Sequence, residues 1–242
     1  VQDNASSDGT REILETLGVI VIDDPEIGYW QSRKTTALAL LALERGHKWV
    51  VPCDADEIWI APDDRTISDF LCGTPPDVQI VTAQLFNHLP SKIDDASIES
   101  PVRRICWRQR AHAPMGKVAC RLHPEMVIHA GNHSAWMPGI CLSSPGLSIR
   151  HFSWRSAEQY RKKIRNGEAA YKATDLPENI GVHWRMFENA TDEAVMGHFW
   201  QWFCSSDPTV DSTLIYDPAP ALLDAEQVEA PLDDVGESRP EI

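Results

Sequence analysis

Apolar runs of membrane-spanning length are missing from this chain. The longest, Ala37 to Leu43, falls far short of the roughly 20 residues that cross a bilayer and suits a soluble helix instead. Basic residues are scarce: 22 Lys and Arg stand against 36 Asp and Glu, a net charge of −14. That balance argues against a nucleic-acid surface or a patch for anionic lipid. The six cysteines are scattered with no Cys-x-x-Cys spacing, so neither a zinc cluster nor a redox pair is expected. Their apolar neighbours predict buried, reduced thiols in a cytoplasmic protein. No secretory leader, internal repeat or Gly-rich phosphate loop is visible.

What is present is globular in character: 242 residues at 43% hydrophobic content can bury one sizeable core. Residues 217–242 differ from the rest, with eight acids against Arg239 alone and four prolines. That composition predicts an acidic, Pro-rich, poorly ordered tail behind a single domain at 1–216. The chain lacks an initiator Met and Val1 leads directly into a turn, as expected of a fragment.

The densest chemistry lies in Trp49-Val50-Val51-Pro52-Cys53-Asp54-Ala55-Asp56-Glu57-Ile58-Trp59. A short apolar strand here delivers three carboxylates within four residues. On an extended backbone Asp54 and Asp56 share a face, and like charges so placed repel unless a cation or proton sits between them. Mg2+ or Mn2+, which take oxygen ligands from one or two carboxylates together with substrate phosphates, suits this pattern. A solvated turn after a strand would carry the same residues.

The order of elements predicts an α/β fold. A turn at 3–10 precedes a helix over about 10–17, a strand at 19–22, a helix over about 31–45 ended by Gly46, and the strand 48–51. This alternation favours a parallel sheet with ligands at the carboxyl ends of its strands. Beyond Pro76 strands are expected at 78–86, 117–121, 126–129 and 147–151, as a mixed or antiparallel extension. The chain then turns helical, with Ser156-Ala157-Glu158-Gln159 as a capping box, Gly167 as a stop or break, and a last helix at 192–204 whose Phe199 to Phe203 cluster reads as a face packing on the body.

Three motifs resemble glycosyltransferase family 2. Asp3-Asn4-Ala5-Ser6-Ser7-Asp8-Gly9-Thr10 is similar to its nucleotide-binding turn, and Asp54-Ala55-Asp56-Glu57 to its Asp-x-Asp motif. His151-Phe152-Ser153-Trp154-Arg155-Ser156 with Lys163-Ile164-Arg165-Asn166-Gly167 is similar to the ending found in a bacterial branch. The resemblance spans about residues 1–175. It implies a GT-A, Rossmann-like mixed sheet flanked by helices, a nucleotide-diphosphate-sugar donor, a divalent metal, and a glycan, lipid or small-molecule acceptor. By the same analogy Asp3, with Asn4, Ser6 and Asp8 in its turn, lies at the nucleotide, Asp54 at the ribose or metal, and Asp56 on the metal, with His151 completing the metal site. The family's leading strand and helix have no counterpart before Asp3.

Other assignments are looser. Arg33 and Lys34 could meet phosphate oxygens or be solvated. His133, in Gly131-Asn132-His133-Ser134, is the acceptor-site or metal-shell candidate; the spacing of His123, His129 and His133 could bring two of them together, but Pro124 and Gly131 disfavour the helix on which a zinc pair is normally presented. Asp56 and Glu57 are the catalytic candidates; Glu57 could instead brace its loop, and Glu125, Asp94 and Asp95 are further acids in loops. Trp30, Trp107, Trp136, Trp154 and Trp184 are candidates for stacking on a sugar. A nucleotidyltransferase, or a non-catalytic nucleotide- or carbohydrate-binding relative, would use much the same residues.

Overall fold

The computed structural model describes residues 1–139 and 141–218. Just before the first helix, whose N-cap is Gly9, Asp8 accepts the Thr10 N–H and hydroxyl at 3.3 and 2.6 Å, and Gly18, at φ +69°, ends that helix. Strand β1 (Gln2–Asp3), helix α1 (Thr10–Thr16) and strand β2 (Ile22–Asp23) form a unit in which β1 and β2 run parallel. Helix α1 buries no residue, and Ile13 and Leu17 stay exposed.

Helix α2 (Gln31–Glu44) follows and stops where Gly46 takes the left-handed conformation. Strands β3 (Trp49–Val50) and β4 (Glu57–Ile60) flank the acidic turn. Helix α3 (Ile67–Cys72), capped by Thr66, leads to strand β5 (Val78–Asn87). Helix α4 (Pro101–Arg104) and strands β6 (Trp107–Gln109), β7 (Lys117–Arg121), β8 (Val127–Ile128), β9 (Ala135–Trp136) and β10 (Leu142–His151) come next. Helices α5 (Ala157–Lys172), α6 (Val182–Arg185) and α7 (Asp192–Trp202) and strand β11 (Leu214–Tyr216) complete the order.

The central sheet runs β3-β7-β5-β10-β4. Only β5 and β10 are parallel; the other neighbours are antiparallel. The fold is therefore mixed α/β: the parallel pairing expected for the first half is found between β1 and β2, while β3 joins the central sheet antiparallel. The reason is β7, whose Val118, Ala119 and Cys120 are all buried. A strand that is apolar on both faces takes an interior slot, and it separates β3 from β5.

Alternation along the strands fills two cores at once. Val81, Ala83 and Leu85 of β5 pack with Ala119, Leu147, Ile149 and Leu71 on one face. Ile80, Val118 and Cys120 meet Ala39 of α2, Met126, Ile128 and Met137 on the other. A third cluster joins α5 to α7 through Tyr160, Ile164, Val195 and Phe199.

Several details differ from the sequence reading. Gly167 neither stops nor breaks α5; it lies under Trp184, where a Cβ would come within 2.4 Å of the indole. In α7 Phe199 is buried, but Trp200 and Trp202 face solvent. All six cysteines are free, yet only Cys120 is buried, and Cys53 and Cys72 are exposed. The expected tail begins at Asp217, whose carboxylate is clamped by Arg108 and Arg150 at 2.6 Å each; residues 219–242 lie outside the described residues. Among the described residues no helix is long and apolar enough to cross a membrane.

Candidate active site

The acidic turn is shaped by one hydrogen bond. The Glu57 N–H donates to the Asp54 carbonyl at 3.0 Å, closing a four-residue turn. The backbone at 54–57 is therefore bent, and Asp54 and Asp56 diverge instead of sharing a face. Asp54 turns to Lys117, whose Nζ is 2.7 Å from Oδ2, and to Asn132, whose Nδ2 donates to Oδ1 at 3.3 Å. Asp56 turns to Lys163, with Nζ 2.6 Å from Oδ2.

Sheet register brings the histidine to the same place. His151, the last residue of β10, lies opposite Glu57 of β4 and Asn87 of β5. The imidazole donates Nδ1–H to Asn87 Oδ1 at 2.8 Å, while the Ser153 hydroxyl reaches Nε2 at 2.6 Å. Nε2 is 3.7 Å from Asp56 Oδ1. Burial pushes the His151 pKa down to about 4, against the pull of Asp56, so the ring is neutral at pH 7. Burial works against the charged form of Asp56, but the field and hydrogen bond of Lys163 overcome it and hold this carboxyl below the usual range.

Glu57, paired with His151 across the sheet, is buried beside these groups. Its side chain is 0% exposed, and Oε1 lies 2.8 Å from Lys117 Nζ. Oε2 accepts the Asp54 N–H and the Trp59 indole N–H, each at 3.2 Å. Burial raises its pKa and Lys117 opposes the shift. Glu57 thus braces the turn, the alternative that the sequence left open beside a catalytic role.

The donor set can be tested against a divalent ion. Asp56, Glu57 and His151 each offer an atom, all within 4.8 Å of one another. Two ligands about 2.1–2.2 Å from one ion stand roughly 3–3.6 Å apart, and the 3.7 Å between Asp56 Oδ1 and His151 Nε2 is close to that span. One carboxylate and one neutral imidazole therefore fit. Asp54, held by Lys117 and Asn132, lies outside this group of three.

These groups open onto a cleft of about 1850 Å3. The expected residues Asn4, Asp8, Arg33, Asp54, Asp56, His133 and His151 line it. The remaining candidates, Asp3, Ser6 and Lys34, do not line it. Asp3 is buried and accepts the Ser6 N–H at 3.2 Å, so both residues hold the turn, and Lys34 is spent on Asp24 at 2.5 Å. Asn4 ties the turn to the chain after β2 through the Asp24 and Glu26 carbonyls, each at 2.7 Å. Arg33 is exposed and paired with Glu26. His133 donates Nδ1–H to the Gly116 carbonyl at 2.6 Å, which leaves Nε2 as an acceptor when the ring is neutral.

Trp30, Trp154 and Trp184 line the cleft; Trp107 and Trp136 do not. Asp94 and Asp95 serve local turns at Ser91 and Ser97, and His123 and His129 bond within their own loop. The sequence reading gave no role to Lys117, Asn132, Asn87, Ser153, Arg155 or Lys162. Lys117 carried a signal: it is a cation opening the otherwise buried strand Lys117–Arg121.

Compared with models of known protein families, the chain matches none, and no curated protein matches it.

Proposed function

We propose that this chain is a metal-dependent glycosyltransferase of GT-A type, transferring a sugar from a nucleotide-diphosphate donor to a glycan, lipid or small-molecule acceptor. The observation that carries this reading is the pairing of Asp56 and His151 at ion-bridging distance in a cleft that also presents Arg155, Lys162 and Lys163. At about 1850 Å3 the cleft exceeds the roughly 300–1,000 Å3 of a single small-ligand pocket, so there is room for donor and acceptor together.

Asp56 and His151 would hold Mg2+ or Mn2+, with water or phosphate oxygens completing the shell. Such an ion supplies stabilisation of the charge that grows on the departing nucleoside diphosphate. Arg155 and Lys162 bind phosphate oxygens. Asp54, fixed by Lys117 and Asn132, stays available along its exposed edge to a ribose hydroxyl. The Trp154 and Trp184 faces suit the apolar side of a sugar ring, and Nε2 of His133 suits an acceptor hydroxyl.

The experiment is calorimetric titration with UDP and GDP, with and without Mn2+, on the chain and on Asp56→Ala, followed by assay of donor hydrolysis. Metal-dependent nucleotide binding lost in the variant, with slow release of nucleoside diphosphate, is the expected result. Binding without release would make the chain a non-catalytic relative, and absence of nucleotide binding would overturn the reading.

A further inference from the structure

Lys163 occupies a position that the donor site alone does not explain. Its ammonium is the closest cation to Asp56, at 2.6 Å, and that carboxylate is only 13% exposed. A divalent ion approaching Asp56 therefore meets a positive charge already in place, and like charges at such range oppose each other strongly in a partly buried site. In that same position the ammonium also faces an aromatic ring. It stands 5.1 Å from the centre of the Trp154 ring, whose face attracts a cation.

The neighbours of Lys163 complete the pattern. Arg155 lies just before α5 and Lys162 in its second turn, and both line the same cleft. Neither forms an ion pair with a carboxylate among the described residues, in a chain of net charge −14. Two unpaired cations beside one paired cation make a place for an anion of high charge density. The amino end of α5 adds the positive end of its dipole.

Building on the metal-site reading above, we propose that Lys163 is an intramolecular counter-ion that holds Asp56 closed to divalent ions until a diphosphate draws it away. Metal and diphosphate then load together. The diphosphate takes Lys163 along with Arg155 and Lys162, Asp56 is freed for the ion, and each ligand strengthens the other by the same factor. A nucleoside diphosphate and inorganic pyrophosphate share this chemistry, so the simpler anion serves as the probe.

The test counts bound Mn2+ by electron paramagnetic resonance on the full chain. With Mn2+ alone, Lys163→Met binds at least about tenfold more tightly than wild type, a gain near 1.4 kcal/mol, and Asp56→Asn in the same background abolishes it. Pyrophosphate alone, in EDTA, binds wild type more tightly than Lys162→Met. On the unmodified chain the preformed Mn2+–pyrophosphate complex binds more tightly than the separate affinities combine to give, a measurement that requires no variant to fold. Equal Mn2+ affinity in wild type and Lys163→Met, a gain that survives loss of Asp56, or purely additive binding would each overturn the proposal. If the coupling is found and no nucleotide sugar is turned over, the glycosyltransferase reading fails while this one stands.

Discussion

Lys117 and Glu57 form an ion pair out of reach of water: their side chains are 6% and 0% exposed and the charged atoms lie 2.8 Å apart. The same ammonium holds Asp54 at 2.7 Å. Burial works against the charge on Lys117, but Asp54 and Glu57 together raise its pKa. Removing one partner of such a pair strands the other. Lys117→Met is expected to lower stability by about 3–5 kcal/mol, and Lys117→Met with Glu57→Gln to recover part of the loss. Urea unfolding of the three chains checks this; equal midpoints for wild type and the single variant would refute it.

His88 makes stability depend on pH. It is buried, donates Nδ1–H to the Ile105 carbonyl at 3.2 Å and stacks on Phe152. Burial, aided by Arg150 and Arg108 and opposed by that carbonyl and by Asp217, pushes its pKa down from 6.5 to about 4. Between those values the unfolded chain binds more protons than the folded one, so stability falls as pH falls. The contribution is up to about 2–3 kcal/mol between pH 6.5 and 4. His151, also lowered to about 4, acts in the same direction, and Glu57, raised by burial, acts against it. The part due to His88 is the slope lost in His88→Leu, read from melting temperatures at pH 7, 6 and 5; an unchanged slope would exclude it.

Asp217 joins strands that are far apart in sequence. Its two oxygens hold Arg108 of β6 and Arg150 of β10, and its N–H donates to the Cys106 carbonyl at 2.8 Å. These three side chains are 14–25% exposed, so solvent screens the pairs only in part. Asp217→Ala is expected to cost about 2 kcal/mol. Arg150 alternates with His151 along β10, so Mn2+ affinity should be unchanged in the same variant. Chemical denaturation and the metal titration together check this, and a lost metal site would contradict it.

Two glycines give opposite outcomes. A Cβ on Gly116 would lie 2.1 Å from the Ala83 carbonyl oxygen, where β7 enters the sheet beside β5, and the Gly116 carbonyl anchors His133. Gly116→Ala should cost more than about 3 kcal/mol. Gly197, inside α7, has nothing within 4 Å of the added carbon, and Gly197→Ala should gain about 0.5–1 kcal/mol. Paired thermal unfolding decides both.

Local pattern determined much of this protein. Helix starts and stops follow Asp8, Ser156, Gly18 and Gly46, and the acidic turn after β3 and the histidine ending β10 are both where short-range periodicity places them, because capping and alternation act over a few residues. The expected helix stop at Gly167 failed because a glycine can serve a close approach, here to Trp184, as well as an end. Tertiary structure decided the rest. The interior place of β7 follows from burial on both its faces, which forces a mixed sheet. The divergence of Asp54 from Asp56 follows from one turn hydrogen bond, and the lysine partners of the two acids come from 63 and 107 residues away. Pairing at that range is set by how the sheet closes, and no window of sequence around the carboxylates carries it.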